Sequence, residues 1–375
     1  MSGRIQIERL EHGPHIAALE PEWEALLRDS VRPTLFSSFD YVQTSLRHLK
    51  GGGEVFYLLF REAGSGKLLA LFPLSLWNQR VHRVALRVVM HALPPPTTEA
   101  DKPCPIIHRD HEAECWARFA DYFRNDFRAW DMMVLDELIA TSHLPGNAER
   151  LFPFPGYWTR SKPGPDSPIV KLDGEWEDFW NRHRKLRKKC GRLERRIENL
   201  SYRVTGDPAD VEPCLKAYIE TEQASWKEGE MVARHHRFYE ELLPKLAAKG
   251  QLWFGMMHDA AKVVSVEVAY AYLDKVYFCH GTFLPEYGEH SPGMVNSCWF
   301  VRHFHGKGFS EGDYLAGFAD YVNPWAHRLE QTRNVVVRRV GWKTGYLAVW
   351  HLFGKLKRRW QSRREQKRGA NDVAE

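Results

Sequence analysis

The chain has 375 residues, of which 43% are hydrophobic and 13% aromatic, with a formal net charge of +5. That length exceeds one ordinary core and fits two domains, and the apolar content excludes a disordered chain. So mild a charge excludes binding of nucleic acid over the whole surface, and no run approaches the ~20 apolar residues of a membrane-crossing helix. The cysteines, Cys104, Cys115, Cys190, Cys214, Cys279 and Cys298, form no Cys-x-x-Cys pair or zinc-type spacing, so reduced packing thiols are expected and no metal. Met1 to Gly13 lacks the apolar core of a signal peptide. The expected location is cytoplasmic, with attachment to a membrane surface left open.

Arg4 to Leu10 alternates as a short strand. From His15 to Ser30 a helical stripe runs through Ile16, Leu19, Trp23, Leu26 and Leu27, with Pro33 just beyond. Ser37 and Ser38 can cap a helix from Phe39 to Leu49, stopped at Gly51. A hairpin follows, EVFYLLFRE and KLLALFPLSLW about a Gly-Ser-Gly turn, then a strand from Val84 to Met90. A loop from Leu93 to Pro105 leads to a helix from His111 to Asp126 and the strand WDMMVLDEL.

The same order recurs after a Pro- and Gly-rich stretch from Leu151 to Pro168. LSYRVTG reads as a strand, and Pro208 to Trp226 and His235 to Lys249 as helices. QLWFGMMHD, VVSVEVAYAYL and VYFCHGTF then form a meander, with its second tight turn at Asp274-Lys275. Ser291-Pro292-Gly293 predicts a helix start, with Ser291 as the N-cap and Pro292 at the first helical position. The helix runs to about His305, and GFSEGDYLAG returns as a strand. The repeat of element order predicts an N-terminal domain over 1–165, a C-terminal domain over 166–340 and a basic tail over 341–375.

A meander running into a helix start directs free backbone amides and a positive dipole end at one spot beside the sheet, which suits a pyrophosphate. With the strand that follows, this is the element order of the GNAT acyltransferases. Further marks are Phe36-Ser37-Ser38, Phe72-Pro73-Leu74, the basic segment Arg182 to Arg196, Trp226, and Asp313, Gly317 and Tyr321 in the last block. Together they resemble the CelD-like acyltransferases of bacterial polysaccharide biosynthesis, a FemAB-related branch of the GNAT superfamily, over about Phe36 to Arg328. The resemblance implies an α+β fold of two GNAT-like domains in tandem, mixed but mostly antiparallel sheets flanked by helices, the first degenerate and the second holding acyl-CoA. Tyr321 is followed by Val322 here, where such relatives usually carry lysine.

The implied reaction is direct transfer of an acyl group from acyl-CoA to an amine, or a hydroxyl, of a cell-envelope or exopolysaccharide precursor. It needs a base, an oxyanion donor and a group to protonate the thiolate. The strand residues His280, Glu267 and Asp313 are the candidate bases, expected to flank one cleft. Tyr321 is the thiolate-protonating group by resemblance, and backbone near Cys279 to Gly281 would hold the oxyanion. Gly281, Ser291, Gly293 and Met294 are the expected acyl-CoA contacts. The alternatives are an aminoacyl transferase of FemAB type using aminoacyl-tRNA and a non-catalytic scaffold of envelope polysaccharide assembly.

Two basic segments remain. Arg182 to Arg196 reads as a helix, either solvated or touching a phosphate-bearing substrate. From Gly341 to Arg368, aromatic and aliphatic residues accompany a dense set of Lys and Arg. Such a segment fits peripheral contact with an anionic membrane and equally fits docking onto the protein. Nucleic acid is the less expected partner, since no base-reading motif is present.

Overall fold

The computed structural model describes residues 5–49, 51–93, 101–225, 232–316 and 325–347. In the first half lie β1 (Ile5–Glu11), α1 (Glu20–Arg28), α2 (Phe39–His48), β2 (Glu54–Glu62), β3 (Leu68–Val81) and β4 (Val84–His91). They are followed by β5 (Ile106–Ile107), α3 (Glu112–Asp121), β6 (Met132–Ile139), α4 (His143–Leu151) and β7 (Tyr157–Pro163). The second half opens with β8 (Ser167–Lys171), α5 (Trp176–Arg182), α6 (Arg184–Arg196), β9 (Leu200–Thr205), α7 (Val211–Gln223) and α8 (His236–Ala248). Then come β10 (Leu252–Asp259), β11 (Lys262–Tyr272), β12 (Lys275–Phe283), α9 (Pro292–Phe304), β13 (Glu311–Asp313), β14 (Arg328–Glu330) and β15 (Thr332–Arg339).

The two halves trace one path. The first sheet runs β1-β2-β3-β4-β6 and the second, read from its other edge, β9-β10-β11-β12-β13. Every described pairing is antiparallel except β4 with β6 and β12 with β13, each of which is joined through a crossover that contains a helix. The fold is thus α+β, two GNAT-like units in tandem with mostly antiparallel sheets. Beyond the fifth strand the second half contributes to both sheets. β15, which lies within residues assigned above to the second half, inserts between β6 and β7 of the first sheet, and β8 inserts between β13 and β14 of the second.

Local chemistry sets these elements. Ser38 accepts the Tyr41 amide at 3.4 Å and so caps α2, whose last turn carries Arg47 and His48 against the dipole. In α6 only Leu186, Cys190 and Leu193 are buried, a helical stripe on an otherwise basic cylinder. Gly312 is required in β13, because a Cβ there would sit 2.6 Å from the Phe278 ring.

The largest hydrophobic cluster joins the halves. It takes side chains from α1, α2 and β2 and from α7, α8 and β10 to β12. Phe36 meets Tyr277 edge-on at 5.4 Å, and Tyr41 meets Phe238 at 5.8 Å. At the rim of this contact Glu241 on α8 binds Arg47 and His48 of α2. Burial opposes its ionisation, yet Lys245, His48 and Arg47 hold its carboxyl down at about 2.

Candidate active site

The organising feature is the parting of β12 and β13. They pair in parallel for three positions, Lys275 with Glu311, Val276 with Gly312 and Tyr277 with Asp313. β12 then continues to Phe283 along β11, while the chain after Asp313 leaves it. The Tyr314 amide donates to the Pro168 carbonyl of β8 at 3.0 Å, Leu315 takes a positive φ of 56°, and the Ala316 amide donates to Asp101 at 2.9 Å. The result is a V between two parallel strands, its base closed by Phe278 stacked on Tyr314 at 4.4 Å.

α9 begins beside the open end of β12. A Cβ at Gly293 would lie 3.1 Å from the Phe283 ring, which places the first turn of the helix against the last residue of the strand. Pro292 occupies the first turn as expected. Ser291 does not cap it: the residue is left-handed (φ 57°, ψ 50°), its side chain makes no capping bond, and its own amide donates to Gly288. Gly293 and Met294 are half-buried, and their amides lie in the turn where a helix offers no internal acceptor. α6 packs against α9 and the turn before it, with its apolar stripe of Leu186, Cys190 and Leu193 turned inward, so a helix rich in Lys and Arg neighbours this start.

A bulge decides which side chains look where. From the Leu273-Asp274 turn the hairpin pairs Tyr272 with Lys275 and Ala269 with Phe278. Continued without interruption, that register would set Glu267 opposite His280. Cys279 is instead extra, so Val268 faces His280 and Glu267 faces Gly281. Directly opposed residues share a face, so His280 and Glu267 lie on opposite faces of the sheet.

His280 is 7% exposed, and its Nε2 lies 2.8 Å from the Tyr239 hydroxyl on α8. The Tyr218 ring of α7 also flanks it, at 6.5 Å. Glu267, 4% exposed, accepts the Ser297 hydroxyl of α9 on both oxygens, at 2.9 and 2.8 Å. Beside it Gly281 leaves open space on the α9 face, where a Cβ would meet only the Glu267 Cγ, at 3.8 Å.

Asp313 belongs elsewhere. Its carboxylate takes the buried Lys102 ammonium at 2.5 Å, and Lys102 also reaches Glu330 at 3.1 Å. Burial opposes the charge on Lys102, but Asp313 and Glu330 raise its pKa above the usual lysine range. The expectation that His280, Glu267 and Asp313 flank one cleft is therefore corrected: they face α8, α9 and the junction of the halves. Tyr321, like Trp226 and Gly317, lies outside the described residues.

Sequence reasoning missed Tyr239, Ser297, Lys102 and Asp101. Nothing local marks them, since each acts across the fold on a residue 30 or more positions away. Lys102 and Asp313 also line a cleft of about 140 Å³ between the halves, with Arg32, Phe36, Lys275 and Tyr277.

Residues 181–322 match the acetyltransferase (GNAT) domain family. The matched stretch contains the meander, α6, α9 and the parting strands. No curated protein matches in sequence. Among solved structures, FemX is similar at 9% identity and TM-score 0.59, over 89% of this chain and 97% of that one. A conserved protein of unknown function from Bacteroides thetaiotaomicron is similar at 10% identity and TM-score 0.55, over 89% and 100%. The C-terminal domain of a putative lysylphosphatidylglycerol synthetase from Agrobacterium fabrum follows at 12% identity and TM-score 0.52, over 90% and 95%. At these identities the structures share the fold with this chain, and the family match on 181–322 is to transferases.

Proposed function

We propose that this chain moves an acyl group from acyl-CoA onto an amine, or a hydroxyl, of a cell-envelope or exopolysaccharide precursor by direct attack, as in the CelD-like branch. The observation that carries the reading is the V between β12 and β13 opening beside the first turn of α9. A thioester arm between the strands would find backbone on either side, and its pyrophosphate would meet the Gly293 and Met294 amides with the basic face of α6 nearby. Gly281 leaves room for close approach on that side. Ser291 contributes through its backbone turn.

On the other face, His280 is the base we assign, oriented by the Tyr239 phenol. A neutral imidazole nitrogen can accept the proton that an ammonium must lose before attack. The backbone at the Cys279 bulge would hold the oxyanion. Tyr321 keeps its proposed role as proton donor to the thiolate. Glu267 and Asp313, committed to Ser297 and Lys102, hold structure in this reading.

Thermal stabilisation by acetyl-, long-chain acyl- and free CoA tests the proposal, because stabilisation grows with ligand concentration over Kd. A rise with at least one of them at millimolar concentration is expected; no shift with any would overturn it. The basic face of α6 also favours a second reading, transfer from aminoacyl-tRNA. RNA co-purifying with the protein and lost when α6 is neutralised would select it. If neither donor binds, the scaffold reading remains, consistent with Val322 in the lysine's place. Peripheral attachment to a membrane, which would bring the enzyme to a lipid-linked acceptor, belongs to the same proposal.

A further inference from the structure

Seven large hydrophobic side chains are exposed among the described residues, and five of them, Phe154, Trp158, Val340, Trp342 and Tyr346, gather at one end of the first sheet. Pairing explains the gathering. β7 begins where the antiparallel β15 ends, with Tyr157 opposite Arg339 and Trp158 opposite Arg338, and the Val340 amide donates to Gly156 at 2.9 Å. Phe154 is 73% and Trp342 75% exposed. Trp342 is not a dangling end, because Leu347 in the same helical run packs on the outer sheet face formed by Val84, Leu86 and Val88.

The same end is cationic. A shallow basin of about 390 Å³ is lined by Arg87, Arg128, Arg339, Lys343 and Trp342. The one acid in its lining, Asp131, is held by Lys343 at 2.9 Å and by the Arg87 amide at 2.8 Å. Among the described residues Arg87, Arg128 and Arg339 form no ion pair with a carboxylate. Arg339 instead donates to the Arg128 backbone carbonyl at 2.5 Å, and Arg128 donates to the Asn125 carbonyl at 3.2 Å, so both guanidinium groups are held by backbone oxygens and not by a counter-charge.

We infer that this end of the folded body is a docking surface for an anionic lipid bilayer. Exposed tryptophan and phenylalanine beside unneutralised arginine are what an interface of headgroups and acyl chains selects: rings enter the boundary while guanidinium groups meet phosphate. The inference deepens the peripheral attachment proposed above and places the contact on the body rather than on the tail alone. It does not depend on which acyl donor is used.

The test uses the full chain and vesicles without any acyl donor, so its failure leaves the transfer reading standing. Sedimentation with phosphatidylcholine vesicles, with and without phosphatidylglycerol, should show binding only to the anionic ones, falling as salt rises. The pairs Arg128→Ser/Arg339→Ser and Phe154→Ser/Trp342→Ser should each lower partitioning about tenfold. Wild-type partitioning by either pair would overturn the inference, as would binding to RNA but not to vesicles at the same salt. Should the arginine pair fold poorly, brominated-lipid quenching of tryptophan emission decides: Trp342→Phe should lose a large share of the quenching, and equal quenching would overturn the inference.

Discussion

The imidazole of His280 and the phenol of Tyr239 meet at 2.8 Å, one from β12 and the other from α8. The pair exists because the Cys279 bulge turns His280 toward the helices. His280→Ala should lower turnover about 100-fold or more, the usual worth of a general base, while acyl-CoA binding stays within about twofold. Tyr239→Phe should cost roughly tenfold in kcat and displace the pH profile, since it removes one hydrogen bond to the base. Full turnover in both variants would refute the assignment of His280 even with the fold intact.

Gly281 offers a direct probe of the donor side. Gly281→Val fills the space beside Glu267 and should weaken acyl-CoA stabilisation about tenfold without lowering the thermal midpoint of the unliganded protein by more than a few degrees. Ser291→Ala should leave stability within about 0.5 kcal/mol of wild type, as its hydroxyl caps nothing; an N-cap serine would cost about 1 kcal/mol. Denaturant unfolding distinguishes the two.

Lys102 is a buried cation between two carboxylates. Lys102→Met leaves Asp313 without its cation and Glu330 with Arg328 at 3.4 Å, and should destabilise by about 3–5 kcal/mol in urea unfolding. Adding Asp313→Asn to that variant should recover part of the loss. If Lys102→Met unfolds at the wild-type midpoint, the charge cluster does not hold the halves together.

Asp101 sets a pH dependence. Burial pushes its carboxyl up to about 7, only partly offset by Lys102. A folded pKa above the unfolded one means the native state binds the extra proton. The associated stability is therefore full below about pH 4 and lost as pH rises toward 7. Asp101→Asn keeps an acceptor for the Ala316 amide and should flatten this slope, gaining on the order of 1 kcal/mol relative to wild type at pH 8. Parallel stability curves for the two proteins between pH 5 and 8 would exclude the assignment.

The elements with strong periodicity were legible in the sequence. Alternation located β10, β11 and β12 to within a residue or two, and the α2 cap at Ser38 was read correctly. What the sequence hid has identifiable causes. β7 is a polar edge strand ending in Pro163, β8 is five residues with a proline, and β15 carries three valines between arginines, so none showed a clean period. α4 begins His-Leu-Pro-Gly, which reads as a turn. GFSEGDYLAG supplied a strand of only Glu311–Asp313 because the chain turns toward β8.

For the site, the residues were visible but their grouping was not. A hairpin from a two-residue turn predicts Glu267 opposite His280, and one inserted residue reverses that parity. Ser-Pro-Gly announced the helix correctly but not the left-handed serine. Partners such as Tyr239 and Lys102 are set by how the halves dock, which no local window contains.

The placement of β15 in the first sheet also bears on synthesis. Because β15 lies between β6 and β7, that edge of the first sheet cannot be completed until Arg339 has left the ribosome, whatever its earlier strands have done. Until then β7, whose partner in the sheet is β15, has no strand to pair with, so the first sheet is finished only after the strands of the second have been made.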